Sequence, residues 1–483
     1  MKRKILLLFT VFLFLKTLAQ SPYINKVYDL LPAPGQFTNS LPDYSTGNTK
    51  ADIIKKAQDA IAYNNQGMVS LGAYGGYIVF GFDHTVEHIP GKYDFKILGN
   101  AFYSASNPNG EASREGGSCE PGIVMVSYDE NGDGLPNDTW YELAGSEYNS
   151  TKTIKNYRIT YYKPDENKVR TPDNNYPYLN DTTYIKWKDN QGGQGYVSRN
   201  VYHAQSYYPS WITADSIVFT GSRLANNYAD ESGKGNYYVG YAYHWGYADN
   251  QPNTDDRSGF SIDWAVDVNG NKINLPGIDF VKVYTAVNQY NGWIGEVSTE
   301  ILGAEDLHLT GNDNDVPVFT TGVSLDKSSL TMSPGQTATL VATIMPTDAT
   351  NPKVTWKSSN TSVLTVTNGV ITALAEGVTT VSAITNDGYY IATCTVQVSR
   401  ISTGTPETTT EKPAVSYSDG TLRLFYLDGY QCLLTDLTGK ILRSFRVNGT
   451  AVNVPLSLPK GIYLLKAENA SAHNTFKLLI TSN

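Results

Sequence analysis

The segment DENGDGLPND places Asp129, Asn131 and Asp133 two residues apart, with Gly134 directly after them. Calcium takes about six to eight hard oxygen ligands, and alternate residues of a tight loop can turn their oxygens inward while a glycine permits the bend. The expected ligand set is Asp129, Asn131, Asp133, Leu135 through its backbone oxygen, and Asp138, with Glu142 as the alternative closing residue. Strand-like GIVMVSY before the loop and WYELAG after it put it at the end of a hairpin, so calcium is expected as a structural cofactor. The bland reading of the same residues is a plain Asn-Gly and Asp-Gly turn.

A second acidic group comprises Asp249, Asp255, Asp256, Asp263 and Asp267. Carboxylates this dense could perform acid–base work on a glycoside, which needs two of them held about 5 to 10 Å apart. Spacing along strands and loops does not establish that geometry, and Asp267 enters a VNGN turn, where Asp is a common turn former. The chain therefore reads more readily as a binder than as an enzyme, with a purely adhesive or structural surface role as the third alternative, and no catalytic residue is assigned. His84 and His88 are the one close histidine pair, but a strand precedes them and Pro90 and Gly91 follow, which argues against a shared helical face and a zinc site. The calcium segment also resembles EF-hand-like and thrombospondin-type calcium loops, departing from the former where Trp140 stands in place of the closing acid.

Aromatic residues supply the other usable chemistry. The chain has 35 Tyr against 15 Phe, clustered at 202–211, 237–249 and 284–295. Rings stack on sugars and flat organic ligands, while Tyr hydroxyls and nearby amides give directional contacts. Strand-internal rings such as Tyr241 and Tyr243 are expected between sheets. Trp245, Tyr290 and Trp293, in Gly- and Asn-rich surroundings, are the expected ligand-binding residues. The partner they suit is an extracellular glycan or another small polar ligand.

These residues need rigid elements to hold them. Thr49 to Tyr63 is the one convincing helix, with Thr49 able to cap, Asp52 three residues on, and Ile53, Ile54, Ala57, Ala60 and Ile61 at helical spacing. From 68 to about 309 the pattern is short Val, Ile, Tyr and Phe runs broken by Gly, Asn, Asp and Pro, as at 75–82, 122–128, 157–162, 216–222 and 280–287. With no helices alternating among the strands, an antiparallel, jelly-roll-like β-sandwich over 21–317 is expected. A Ser-, Thr- and Val-rich β-sandwich over 318–400, a Thr-, Pro- and Glu-rich linker over 401–413 and a small β-sandwich over 414–483 complete an all-β chain.

Lys2, Arg3 and Lys4 precede an apolar run from Ile5 to Leu15 and a small-residue cleavage pattern, so residues 1–20 read as an export signal and no later segment reads as a membrane span. A formal net charge of -9 and a pI near 5.3 argue against nucleic-acid binding. Three scattered cysteines, Cys119, Cys394 and Cys432, suggest neither a disulfide framework nor a metal cluster.

The stretch from Lys353 to Gly388, with its Trp strand, Ser-Ser-Asn turn and NGVITALAEG, resembles the group 2 bacterial immunoglobulin-like domain. LLTDLTGKILRSFRVNG and LPKGIYLLKAENASAHNTFKLLI resemble the C-terminal sorting domain of the type IX secretion system. That resemblance implies the type IX secretion machinery as a partner, passage of the outer membrane, and a place on the cell surface or outside the cell. LGAYGGYIVFGFDHTV, EPGIVMVSYDENGDGLPNDTWYELAGSEY and SGFSIDWAVDVNGNKINLPGIDFVKVYT resemble uncharacterised Bacteroidetes cell-surface proteins. The resemblance implies surface capture of nutrients, with glycans and cobamides among the candidate ligands.

Overall fold

The computed structural model describes residues 19–65, 67–104, 115–400 and 412–480. The expected leader up to residue 18 and the expected linker over 401–411 lie outside the described residues. The chain is built almost entirely of strands and falls into two compact units, Met1–Ser399 and Arg400–Asn483.

The expected helix forms over Lys50–Ile61. Thr49 accepts the Asp52 backbone N–H while the Asp52 carboxylate takes the Thr49 N–H at 2.8 Å, a reciprocal cap that satisfies two otherwise orphan donors. Its apolar stripe of Ile53, Ala57 and Ile61 is buried against the first strand, Lys26–Leu31.

That strand begins a six-stranded antiparallel sheet in the order Lys26–Leu31, Tyr77–Glu87, Gly277–Thr285, Gly122–Ser127, Tyr141–Leu143, Ala265–Val266. Successive side chains of a strand point to opposite faces, so the sheet divides its residues between two cores. Ile78, Phe80, Val281, Val283, Val124 and Val126 join the helix in one core. Tyr284 and Ile123, with Tyr77 and Met125 against them, enter the other. There they meet a second sheet, in the order Gln194–Asn200, Leu179–Asp189, Ile154–Tyr162, Ser216–Arg223. The β-sandwich is therefore thicker than a two-sheet reading suggests, because its central sheet is covered on both faces.

The second core absorbs many of the tyrosines. Tyr74, Tyr157, Tyr161 and Tyr207 are all but fully buried. A buried phenol needs a partner, and these find one: Tyr161 donates to the Tyr74 carbonyl, Tyr74 to the Ser222 carbonyl, and the Ser222 N–H donates to the Tyr284 hydroxyl at 2.9 Å. Tyr241 and Tyr243, at 5% and 7% exposure, lie inside as their strand positions imply.

Residues 322–398 form an immunoglobulin-like sandwich. One sheet runs Ser329–Met332, Ile391–Val398, Gly377–Thr385, Val354–Ser358, and it faces Thr337–Thr339, Val370–Ala373, Leu364–Thr367. Leu364 and Val366 turn to the core while Thr365 and Thr367 are exposed, which is the period-two pattern of a half-buried strand. The second unit packs Ala414–Ser418, Thr421–Phe425, Ala451–Pro455 over Ile441–Arg446, Gln431–Asp436, Gly461–Glu468, His473–Ile480 around Leu422, Leu424, Leu434 and Leu465. Cys119, Cys394 and Cys432 are buried free thiols.

Candidate functional site

One hollow lined mainly by aromatic rings has a volume of about 650 Å³. Its rings come from five separate stretches: Phe37, Phe102, Tyr202, Tyr228 with Tyr237 and Tyr238, and Trp293, and His203 and Ser118 add polar edges. Phe102, Tyr202 and Trp293 are 57%, 67% and 46% exposed, an unusual concentration of large rings in water for a surface with nothing to cover. The turn carrying Trp293 depends on Gly292, which adopts a φ of +57°; a Cβ there would lie 2.6 Å from the Tyr238 hydroxyl.

Gln36, Phe37 and Ile294 also line a second, smaller chamber of about 270 Å³, so the two hollows adjoin. Acids line this one: Glu120, Glu296 and Glu300, with Asn100 and Ser298 beside them. Glu120, Asp249 and Glu300 each present a carboxylate oxygen within 4.8 Å of the other two. The chain positions them by pairing. Glu300 lies in the short strand Glu300–Ile301 against Val69–Ser70, and Ser70 donates to its Oε1 at 3.0 Å. Asp249 is held by N–H donors from Asn100, Ala101 and Glu300 at 2.8 to 2.9 Å. Ser298 N–H donates to Glu120 at 3.2 Å, and Gln36 N–H to Glu296 at 2.6 Å.

Burial raises the affinity of all four for a proton, and neighbouring charges add to it for Glu120, Asp249 and Glu296. Glu300 is pushed up to about 7 and Glu296 to about 8, while Glu120 and Asp249 lie well above the usual carboxylate range. Glu120 and Glu300 lie close enough that the charge of one raises the proton affinity of the other.

Of the acids expected from the sequence, only Asp249 enters this cluster. Asp255 is paired with Arg257, Asp263 with Lys272 at 3.0 Å, and Asp267 accepts the N–H groups of Asn269 and Asn271 in its own turn. Asp256 opens a short helical turn. Glu296 and Glu300 lie close together in GEVSTE, but Glu120 and Asp249 are far from them in the chain, and only the fold brings the four to one point.

The ligand-binding residues divide. Trp293 lines the aromatic hollow. Tyr290 bridges to Glu296 beneath it, and burial raises its phenol above the ordinary range. Trp245 does not join this surface. It stacks on Phe319 with centroids 5.0 Å apart and planes 8° from parallel, and it also packs on Trp264 at 4.7 Å. Its neighbour His244 places Nε2 2.5 Å from Asp387. The expected binding ring is therefore a joint between the large sandwich and the immunoglobulin-like one, because Phe319 supplies the flat apolar face that a ligand would have supplied.

The calcium-loop residues do sit at a hairpin end. Asp129 accepts the N–H groups of Asp133 and Gly134, Asn131 accepts that of Asp133, and Asp133 accepts that of Leu135 and an amide hydrogen of Asn137. The Leu135 carbonyl accepts the Asn137 N–H at 2.8 Å. Asp138 has an oxygen, Oδ2, with no hydrogen-bonding partner, and its carboxyl is raised by burial and by the charges of Asp129, Asp133 and Glu130. Negative charge thus converges on the loop interior, which fits a cation. His84 and His88 are drawn apart: His84 sits between Asp83 and Asp306, at 2.7 and 2.8 Å, whereas His88 meets the Leu275 carbonyl.

Residues 319–396 match the bacterial immunoglobulin-like domain, group 2. The chain is 31% identical to an uncharacterised protein of Clostridium acetobutylicum over 196 residues, 38% of this chain and 46% of that protein. It is 34% identical over 101 residues to an Ig-like virion protein of Serratia phage KSP90, covering 20% of this chain and 38% of that one. The chain thus spans less than half the length of each of these relatives. Among solved structures, domains 5–6 of the S-layer protein SbsC are similar at 16% identity over 35% of this chain and all of that one, with a TM-score of 0.16. The CD2-binding domain of CD58 is similar at 13% identity over 32% of this chain and 99% of that one, with a TM-score of 0.13. No helix among the described residues is long and apolar enough to cross a membrane.

Proposed function

We propose that this chain is an exported surface protein that captures a polar ligand with ring faces, a glycan or a cobamide, in the aromatic hollow of its large sandwich. The observation that carries the reading is the hollow itself: six or more rings from distant parts of the chain converge on one concavity of about 650 Å³. Its size suits a small ligand, and amphipathic rings with amide and hydroxyl edges suit sugars. The loop at 129–138 holds calcium as a structural ion in this reading. The immunoglobulin-like domain acts as a spacer, and the terminal sandwich as the sorting module of type IX secretion.

Glycoside hydrolysis fits less well. Its two carboxyl groups must stand about 5 Å apart or more to admit the anomeric centre. The acids that reading relies on, at 249–267, are committed elsewhere: Asp255 pairs with Arg257, Asp263 with Lys272, and Asp267 accepts N–H groups of its own turn. The test is calorimetric titration of the full chain with a panel of glycans and with a cobamide, alongside Trp293→Ala. Saturable binding that the variant loses supports capture; heat of binding unchanged in the variant, or no binding across the panel, contradicts it.

A further inference from the structure

Two buried carboxylates and a half-buried one that converge without a basic partner among the described residues pose an electrostatic problem. Placing three negative charges within a few ångströms in a low-dielectric interior is costly, and the charges must be removed by protons or balanced by a cation. The groups that oppose the burial here are N–H and O–H donors rather than a Lys or Arg. We propose that Glu120, Asp249 and Glu300 bind a divalent cation of the calcium class at the inner end of the acidic chamber.

One observation outside the triad supports a cation. Glu296, only 4% exposed, lines the same chamber, and its Oε2 has no hydrogen-bonding partner although its Oε1 accepts the Gln36 N–H. A buried carboxylate oxygen left without a partner is unstable unless it carries a proton or faces something positive. The donor set is oxygen throughout, with no thiol or imidazole, which selects a hard ion over zinc or copper. A chamber of about 270 Å³ leaves room for the waters that complete such a shell.

The site is distinct from the loop at 129–138 and does not depend on capture in the aromatic hollow. Its test uses the full chain with the loop disabled by Asp129→Ala and Asp133→Ala, dialysed first against chelator and then against calcium chloride, with bound metal counted by elemental analysis. One calcium per chain is expected to remain, and adding Glu300→Gln or, separately, Glu120→Gln to that background is expected to weaken its affinity at least tenfold. Circular dichroism and thermal melting establish that each variant is folded. A folded loop-disabled chain that binds no calcium overturns the proposal, and so does one whose calcium affinity both glutamine variants leave unchanged.

Discussion

The indole of Trp245 lies flat on the ring of Phe319, 5.0 Å between centroids, and this contact joins the large sandwich to the immunoglobulin-like domain. Stacked aromatic pairs contribute about 1 kcal/mol beyond the area they bury. Phe319→Ala is expected to cost about 1 to 2 kcal/mol and to separate the melting of the two sandwiches into resolvable transitions in scanning calorimetry. A single unshifted transition would show that the joint contributes nothing to cooperativity.

His84 gives the fold a pH dependence of defined sign. The Asp306 carboxylate, and then Asp83, raise its affinity for a proton against the opposing effect of burial. Its folded pKa therefore exceeds the unfolded one of about 6.5. The stability it contributes is fully present below that unfolded value and is lost as pH rises through the folded value. The difference in urea midpoint between the native chain and His84→Asn should be largest below the unfolded pKa of about 6.5 and shrink as pH rises through the folded one. A difference that grows with pH would reverse the assignment.

The loop at 129–138 should bind one calcium of its own. Asp133 is held below the usual carboxylate range chiefly by the Asn137 amide, so it stays ionised and ready to ligate at neutral pH. Asp133→Ala is expected to remove one calcium equivalent and to lower the melting temperature in excess calcium by a few degrees, since saturation at a hundredfold over Kd adds about 2.7 kcal/mol. Unchanged stoichiometry and melting would leave the segment as a turn.

Much of the framework was legible in local pattern. The helix was written in Thr49, Asp52 and the Ile53, Ala57, Ile61 stripe, and the strands at 77–87, 122–127, 154–162, 216–223 and 277–285 each overlap an apolar run seen in the sequence. The immunoglobulin-like domain was legible for the same reason, since its motif is local. The second covering of the central sheet was not, because a strand buried on both faces, such as Gly277–Thr285, reads as an apolar run without saying what covers it. Trp245 was misread because its environment is set by Phe319, far along the chain. Glu120, Asp249, Glu296 and Glu300 were invisible as a group, since their meeting depends on long-range strand pairing.

The most direct test of the account is the binding of an oligosaccharide panel and a cobamide to the full chain, compared between the native protein and Trp293→Ala. Trp293 is 46% exposed and packs little interior, so its removal should leave the melting temperature within about a degree while abolishing saturable binding. Binding retained at native affinity by a folded Trp293→Ala chain would mean that the aromatic hollow is not where the ligand goes.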